Sequence, residues 1–230
     1  MRGLFTPAEF AIKVHLEFRR MVMRPEFSCL GAKAAFNENT YAFGVFDEMG
    51  TKQATEQLSK ELSGFARSPI INENEFSSFV AIFRGPLDLT EREFEICLWL
   101  QLRQLHQVDR SDWDPRVSSD PNDPDFSFSF AGQAFYVVGM HGHSSREARR
   151  FPWPTLVFNP HEQFERLRTE KKWKRMQGAI RARELAIQGS INPMLSEFGE
   201  ESEAPQYSGR AVSDDWEAPF PVAPKRPLEH

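Results

Sequence analysis

The segment from Phe135 to Arg150, FYVVGMHGHSSREARR, combines residue types that can do chemistry. His141 stands between Gly139 and Gly142, so little side-chain bulk would obstruct a flat ligand that approaches the backbone. Neutral imidazole is a common metal ligand. His141 is therefore a candidate metal ligand, and the alternative is a polar loop at the end of a strand that binds nothing.

Cationic side chains follow this histidine at Arg146, Arg149 and Arg150, which would share one face of a helix. Their planar guanidinium groups suit carboxylates or phosphates, and the alternative is a solvated basic surface.

A second kind of metal site would use His141 together with His143. Two histidines and one carboxylate are the usual protein ligands of non-haem iron. No third ligand is evident from the sequence.

A further histidine, His161, follows Asn159 and Pro160, which are favoured at the N-cap and first position of a helix. The positive end of the helix dipole disfavours imidazolium, so this ring is expected to stay neutral and able to bind a metal. The alternative is a helix-start residue packed under a loop.

Cys29 is a further candidate ligand. It is either a thiolate ligand of the kind found in haem monooxygenases or a small buried hydrophobic residue.

The elements that must position these residues follow from hydrophobic periodicity. Helical spacing predicts helices over residues 7–22, 51–65, 90–108 and 159–187, the third beginning with a Thr90–Glu93 capping box. The fourth is expected to be irregular near Thr169. Alternation predicts strands over residues 41–46, 76–83, 126–130, 133–140 and 155–158, with a hairpin turn at Ala131 and Gly132. There is no regular βαβ rhythm. We predict a single α+β domain, a mixed or largely antiparallel sheet of about five strands packed by helices.

This domain is expected to cover residues 1–212. Residues 213–230 form a Pro-rich tail whose last residues, Leu228–His230, have the form of an expression-tag remnant.

Composition excludes several classes of protein. The net charge of −5 provides no basic excess for nucleic acid, and no apolar run is long enough to cross a membrane. The two cysteines, Cys29 and Cys97, do not make a disulfide framework, and the N-terminus lacks the form of a signal peptide. A cytoplasmic location is therefore expected, and the sequence leaves oligomerisation open.

Two long segments, FSFSFAGQAFYVVGMHGHSSREARRFPWPTLVFNPHEQFERLR and IQGSINPMLSEFGEESEAPQYSGRAV, resemble the YqcI/YcgG family. The resemblance extends from Phe27 to about Val212. Characterised relatives in that family include haem-dependent enzymes that hydroxylate the guanidine nitrogen of arginine or enduracididine. The resemblance implies that this protein binds haem b and uses O2 and an external electron donor such as a reductase or a ferredoxin-like protein. It also implies N-hydroxylation of the guanidine group of arginine or of an arginine-like amino acid, linear or cyclic.

The resemblance also implies roles for the residues in these segments. The candidate axial ligands of the iron are His161 and His141, and Cys29 is the rival because a thiolate favours O–O cleavage. The candidate propionate-binding residues are Arg146, Arg149 and Arg150.

A guanidinium substrate needs a carboxylate with paired acceptor oxygens. Glu162 is the candidate catalytic carboxylate, unless it is occupied in capping its own helix. Gln188 and Asn192 are expected to line or close the pocket, and Arg210 to hold the α-carboxylate of the substrate.

Other classes of function remain consistent with the sequence. A haem-binding sensor or carrier would bind haem without turnover. A non-haem iron enzyme would use His141 and His143, and an interaction module would bind neither haem nor iron.

Overall fold

The computed structural model describes residues 6–190 and 199–220, and these contain one five-stranded sheet. The strands are β1 (Tyr41–Glu48), β2 (Ser78–Gly85), β3 (Phe128–Phe130), β4 (Gln133–Met140) and β5 (Thr155–Pro160). Their order is β1-β2-β5-β4-β3; β1 and β2 are parallel, and every other neighbouring pair is antiparallel. The predicted α+β class with a mixed sheet is confirmed.

The helices of the described residues surround this sheet. They are α1 (Pro7–Val22), α2 (Leu30–Glu38), α3 (Lys52–Ala66), α4 (Ile70–Glu73), α5 (Glu91–Val108), α6 (His161–Thr169), α7 (Trp173–Gln188) and α8 (Ala204–Tyr207), with a 3₁₀ turn at Glu147–Arg149. Among them no helix has the length and apolar character that a membrane span requires.

Local sequence explains where the best-predicted helices begin. Thr90 caps α5 by accepting a hydrogen bond from the backbone N–H of Glu93, whose carboxylate binds the backbone N–H of Thr90 in return. This capping box was predicted from the sequence. The predicted helix over residues 159–187 is divided into α6 and α7, with a break after Thr169, where the sequence indicated an irregularity; Lys171 in this break has φ of 58°. Asn159 is not the N-cap, contrary to the prediction, since it lies inside β5.

Side chains of the central strands alternate between two buried faces of the sheet. The first face, which includes Phe79, Phe135 and Phe158, belongs to a cluster with apolar residues of α3, α5 and α8. The second face, which includes Val80 and Ile82, packs with apolar residues of α1 and α2. The sheet is therefore the middle layer of the domain.

The described part of the predicted tail packs on this domain. Phe220 is 1% exposed and its ring centroid lies 5.8 Å from that of Trp99. Trp216 also contacts Trp99, with centroids 6.2 Å apart. Residues 213–220 thus extend the core beyond residue 212, where the predicted domain ends.

Candidate functional site

A cavity of about 240 Å³ lies against the second face of the sheet. Its floor is formed by alternate residues of three neighbouring strands. These are Ser78 and Val80 of β2, Val157 and Asn159 of β5, and Tyr136, Val138 and Met140 of β4. The floor is mostly apolar, with polar groups concentrated at the end where Ser78 Oγ donates to Asn159 Oδ1 at 2.7 Å.

Helix α7 forms much of the opposite wall. Its cavity-lining residues recur at helical spacing: Trp173, Met176, Gln177, Ile180, Arg181 and Glu184. None of its residues is buried, because this face borders open space instead of a packed core. Gln188 fastens its C-terminal end, accepting from the backbone N–H of Glu147 at 2.8 Å and donating to the carbonyl of Ser145 at 2.9 Å.

Cys29 reaches the cavity from the start of α2. The residue is the N-cap of that helix, and its Sγ accepts a hydrogen bond from the backbone N–H of Ala32 at 3.4 Å. Cys29 has exposed surface, and it belongs to the cavity lining. Desolvation by the surrounding protein raises the pKa of the thiol, whereas backbone N–H groups of the helix start and the charge of Arg149 oppose that rise.

Three arginines give the wall positive charge: Arg149, Arg168 and Arg181. Arg149 is held in place by donating from Nη1 to the carbonyl of Tyr207 at 3.0 Å. Arg168 pairs with Glu165, and its guanidinium lies 5.2 Å from the ring centroid of Trp173. Planar cations beside an apolar floor suit a flat ligand that carries carboxylates.

Carboxylates also line the cavity, and in the described chain they are Glu184 and Glu203. Glu203 is 5% exposed, and the Tyr207 hydroxyl donates to its Oε2 at 3.3 Å. Desolvation raises the pKa of Glu203 to about 8, so the group is largely protonated at neutral pH. Beside it, the Tyr136 hydroxyl donates to Gln206 Oε1 at 2.9 Å. Sequence reasoning missed Glu203, because a glutamate in the polar string GEESEAP resembles a solvated loop residue.

His161 is buried next to the cavity but does not line it. It is the first residue of α6, with Nε2 3.4 Å from Glu165 Oε1 and Nδ1 3.8 Å from Glu203 Oε1. Desolvation lowers its pKa to about 4, against the opposing effect of Glu165. The ring is therefore neutral, as expected from the sequence, although burial is the largest cause.

His141 lies on the side of the sheet that faces α5, away from the cavity lining. Its ring stacks on Phe94 with centroids 4.4 Å apart, and desolvation lowers its pKa. A Cβ atom added to Gly139 would lie 2.7 Å from both Phe94 and Leu98. The space beside Gly139 is thus filled by α5, contrary to the expectation that a flat ligand approaches there.

The remaining predicted residues do not converge on the cavity. Of the three predicted arginines, Arg149 lines it, whereas Arg146 donates to Ser190 Oγ at 3.3 Å and Arg150 donates to the carbonyl of Ser144 at 3.0 Å. They also share no helix face, since the segment forms a 3₁₀ turn.

The predicted substrate-binding residues have other partners. Glu162 accepts from Arg116 Nη1 at 3.0 Å, and Arg210 donates from Nη2 to Glu95 Oε2 at 2.6 Å. Gln188 fastens α7 from outside the lining. Asn192 falls outside the described residues.

Residues 6–190 and 199–220 contain no group of three or more His, Cys, Asp or Glu side chains that could hold a metal ion. A haem differs from such a site because its porphyrin supplies most of the iron ligands and the protein supplies an axial one. The residues around the cavity fit this requirement, since Cys29, apolar strand residues and lining arginines face one space.

The fold and site define a single-domain α+β protein with a ligand-sized cavity between its sheet and a covering helix. The chain belongs to the YqcI/YcgG family, which it matches over residues 18–221. It is 26% identical over 180 residues to YcgG of Bacillus subtilis (strain 168), covering 75% of this chain and 71% of that protein. It is 25% identical over 182 residues to YqcI of the same organism, covering 76% and 71% respectively. Both relatives are described as uncharacterized. No solved structure is significantly similar.

Proposed function

We propose that this protein is a haem-dependent monooxygenase that N-hydroxylates the guanidine group of arginine or an arginine-like amino acid. The observation that carries the proposal is the cysteine at the start of α2, which faces a cavity with an apolar floor and cationic walls. The YqcI/YcgG resemblance supplies the reaction, and the cavity supplies residue types suited to it.

Cys29 is the residue that we propose would bind the haem iron. A thiolate there would be stabilised by the backbone N–H of Ala32 and by the positive end of α2. His141 and His161 are weaker candidates than the sequence suggested, because they lie outside the cavity lining. Arg149, Arg168 and Arg181 would bind the propionates of the haem.

A thiolate-bound haem supplies oxygen activation, because the sulfur donates electron density that favours O–O cleavage. The overall reaction converts an N–H bond and O2 to N–OH and water, and consumes two electrons and two protons. The electrons would come from a reductase or a ferredoxin-like protein. This electron transfer is expected to occur in the cytoplasm. The chain itself must bind the guanidine, exclude bulk water and provide protons.

Glu184 is the proposed partner of the guanidinium group. It lines the cavity from α7 and carries a carboxylate, the group that pairs with a guanidinium through two oxygens. Glu203 is a poorer partner, because burial favours its protonated form and a neutral carboxyl has lost acceptor capacity. Glu162 is replaced in this role, since Arg116 already occupies its carboxylate.

The first experiment expresses the protein with a haem precursor and records ferric and reduced, CO-bound absorption spectra. Wild-type protein should show a Soret band whose CO form has the red-shifted position typical of thiolate ligation. Cys29→Ser should lose that position. The matched control is Cys97→Ser, because Cys97 lies on α5 and packs against the other core.

A thiolate spectrum that survives in Cys29→Ser, or a histidine-type spectrum in the wild type, would reject Cys29 as the ligand. Failure to bind haem at all would remove the monooxygenase proposal. Turnover is tested with O2, a chemical reductant and L-arginine, and the expected product gains one oxygen atom by mass spectrometry. Haem binding without any hydroxylated guanidine would favour a sensor or carrier instead.

A further inference from the structure

A line of three titratable side chains leads from solvent to the cavity. The Glu165 side chain is 45% exposed, that of His161 is 6% exposed, and Glu203 lines the cavity wall. We propose that Glu165, His161 and Glu203 form a proton path, in which His161 transfers protons and Glu203 presents them to the bound ligand. His161 is thereby a positioning and transfer residue, with no role as an iron ligand.

The geometry allows transfer at both nitrogens of the ring. Nε2 of His161 lies 3.4 Å from Glu165 Oε1, and Nδ1 lies 3.8 Å from Glu203 Oε1. Both separations are slightly longer than a formed N–H···O hydrogen bond, and each closes by a small side-chain rotation. The imidazole therefore joins two carboxyl groups that have no direct contact with each other.

Charge and burial suit this arrangement. The low pKa of His161 keeps the ring neutral, so one nitrogen can donate while the other accepts. The raised pKa of Glu203 keeps a proton at the cavity end near neutral pH. The other groups that influence these two sites are Arg168 of α6, Asp114 and Arg116 before β3, Tyr136 of β4 and Tyr207 of α8.

Protons move from solvent to the cavity by a relay along these three side chains. Glu203 releases the proton of its carboxyl O–H to the cavity. In one concerted relay, Nε2 of His161 then takes a proton from Glu165, or from water beside it, while Nδ1 gives its proton to the Glu203 carboxylate. The ring stays neutral and becomes the other tautomer. Rotation or reverse transfer restores the starting tautomer.

The use of these protons rests on the proposed function, because N-hydroxylation consumes protons in a space that excludes bulk water. The path itself requires no haem. It therefore can be tested on the haem-free chain, so that its failure and the failure of the monooxygenase proposal are separate outcomes.

The experiment follows Glu203 by ¹³C NMR of glutamate side-chain carboxyl groups. It first measures the titration midpoint, then uses relaxation dispersion near that midpoint to measure the rate of proton exchange. In the wild type the midpoint should lie well above that of an ordinary glutamate. In His161→Phe the exchange rate should fall by roughly tenfold or more, because the buried carboxyl loses its connection to solvent.

Glu165→Gln should also slow exchange, and it remains informative if His161→Phe fails to fold, because Glu165 is half-exposed. Glu170→Gln is the control, since Glu170 follows the same helix and pairs with Lys172 at the surface. An ordinary midpoint for Glu203 would overturn the proposal. An exchange rate unchanged in either path variant would also overturn it, since protons would then reach Glu203 through the cavity.

Discussion

Glu203 is a carboxyl group that the fold removes from water, and within residues 6–190 and 199–220 no Lys or Arg side chain is in direct contact with it. Tyr207 donates one hydrogen bond to it, and His161 stands near its other oxygen. Desolvation is the largest influence on the group and raises its pKa from 4.5 to about 8. Such an isolated carboxyl lowers stability whenever it ionises, which makes it a feature typical of functional sites.

The pH dependence of stability follows from this shift. Because the folded-state pKa is raised, the stabilising effect of the protonated group is fully present below pH 4.5 and is lost as pH rises through about 8. The glutamine of Glu203→Gln cannot ionise, so this variant does not lose stability in this way as pH rises. Relative to wild type, its free energy of unfolding should therefore increase by about 2 kcal/mol or more between acidic and mildly alkaline pH. Urea denaturation across that range measures the difference, and a pH-independent difference would contradict the account.

Residue types in the sequence were sufficient to identify some of the cavity wall. Cys29 and Arg149 were named as candidates, and both line the cavity. Glu203 was not named, because its burial depends on how α8 packs against β4 and not on any local pattern. His161 was predicted to be a neutral ring able to bind a metal, but the sequence contained nothing to place its nitrogens between two carboxyl groups.

At the scale of elements, the close contact between β4 and α5 depends on Gly139. A Cβ atom there would lie 2.7 Å from side-chain atoms of Phe94 and Leu98 and 2.8 Å from the carbonyl of Tyr207. Gly139→Ala should therefore lower the free energy of unfolding by about 1–3 kcal/mol. Gly142→Ala is the matched control, because its nearest atom would be 3.7 Å away. Denaturation of both variants tests this, and equal effects would exclude crowding as the cause.

Helix ends with strong local signals were predictable, whereas short or non-locally stabilised helices were not. Residues 7–22 were predicted as a helix, and α1 has those bounds. Helix α2 was missed because its sequence, LGAKAAFNE, has weak amphipathic periodicity and its N-cap is an uncommon one, Cys29. The break between α6 and α7 lies close to the irregularity predicted near Thr169, but the left-handed conformation of Lys171 was not predicted.

At the scale of the whole molecule, α7 is the part most suited to open the cavity. Helix α7 has no buried residue. Hydrogen bonds attach it to the rest of the domain: Gln188 accepts from the backbone N–H of Glu147, and Arg183 donates to the carbonyl of Phe27 at 3.3 Å. Backbone amides of α7 should therefore exchange with deuterium faster than those of α5, which has buried residues along its length.

Removing an attachment should increase that difference. Arg183→Ala or Gln188→Ala is expected to speed exchange in α7 about fivefold while leaving α5 unchanged, because each loses roughly 1 kcal/mol of local hydrogen bonding. Arg175→Ala, an exposed substitution on the same helix, is the control. Mass spectrometry of peptides from α5 and α7 measures both rates. Equal acceleration in the two helices would indicate global destabilisation instead of local opening.

The alternation of side chains in the central strands has a consequence for how this protein can change. Odd-numbered residues of β4, such as Phe135 and Val137, hold the core together, while even-numbered residues, such as Tyr136 and Val138, border the ligand space. The second set is also buried against α1 and α2, so substitutions there leave the packing intact only when they conserve side-chain volume. Divergence in ligand preference among relatives is therefore expected at every other position of these strands, and a library of volume-conserving substitutions at those positions would reshape the cavity while the other face of the sheet stays packed.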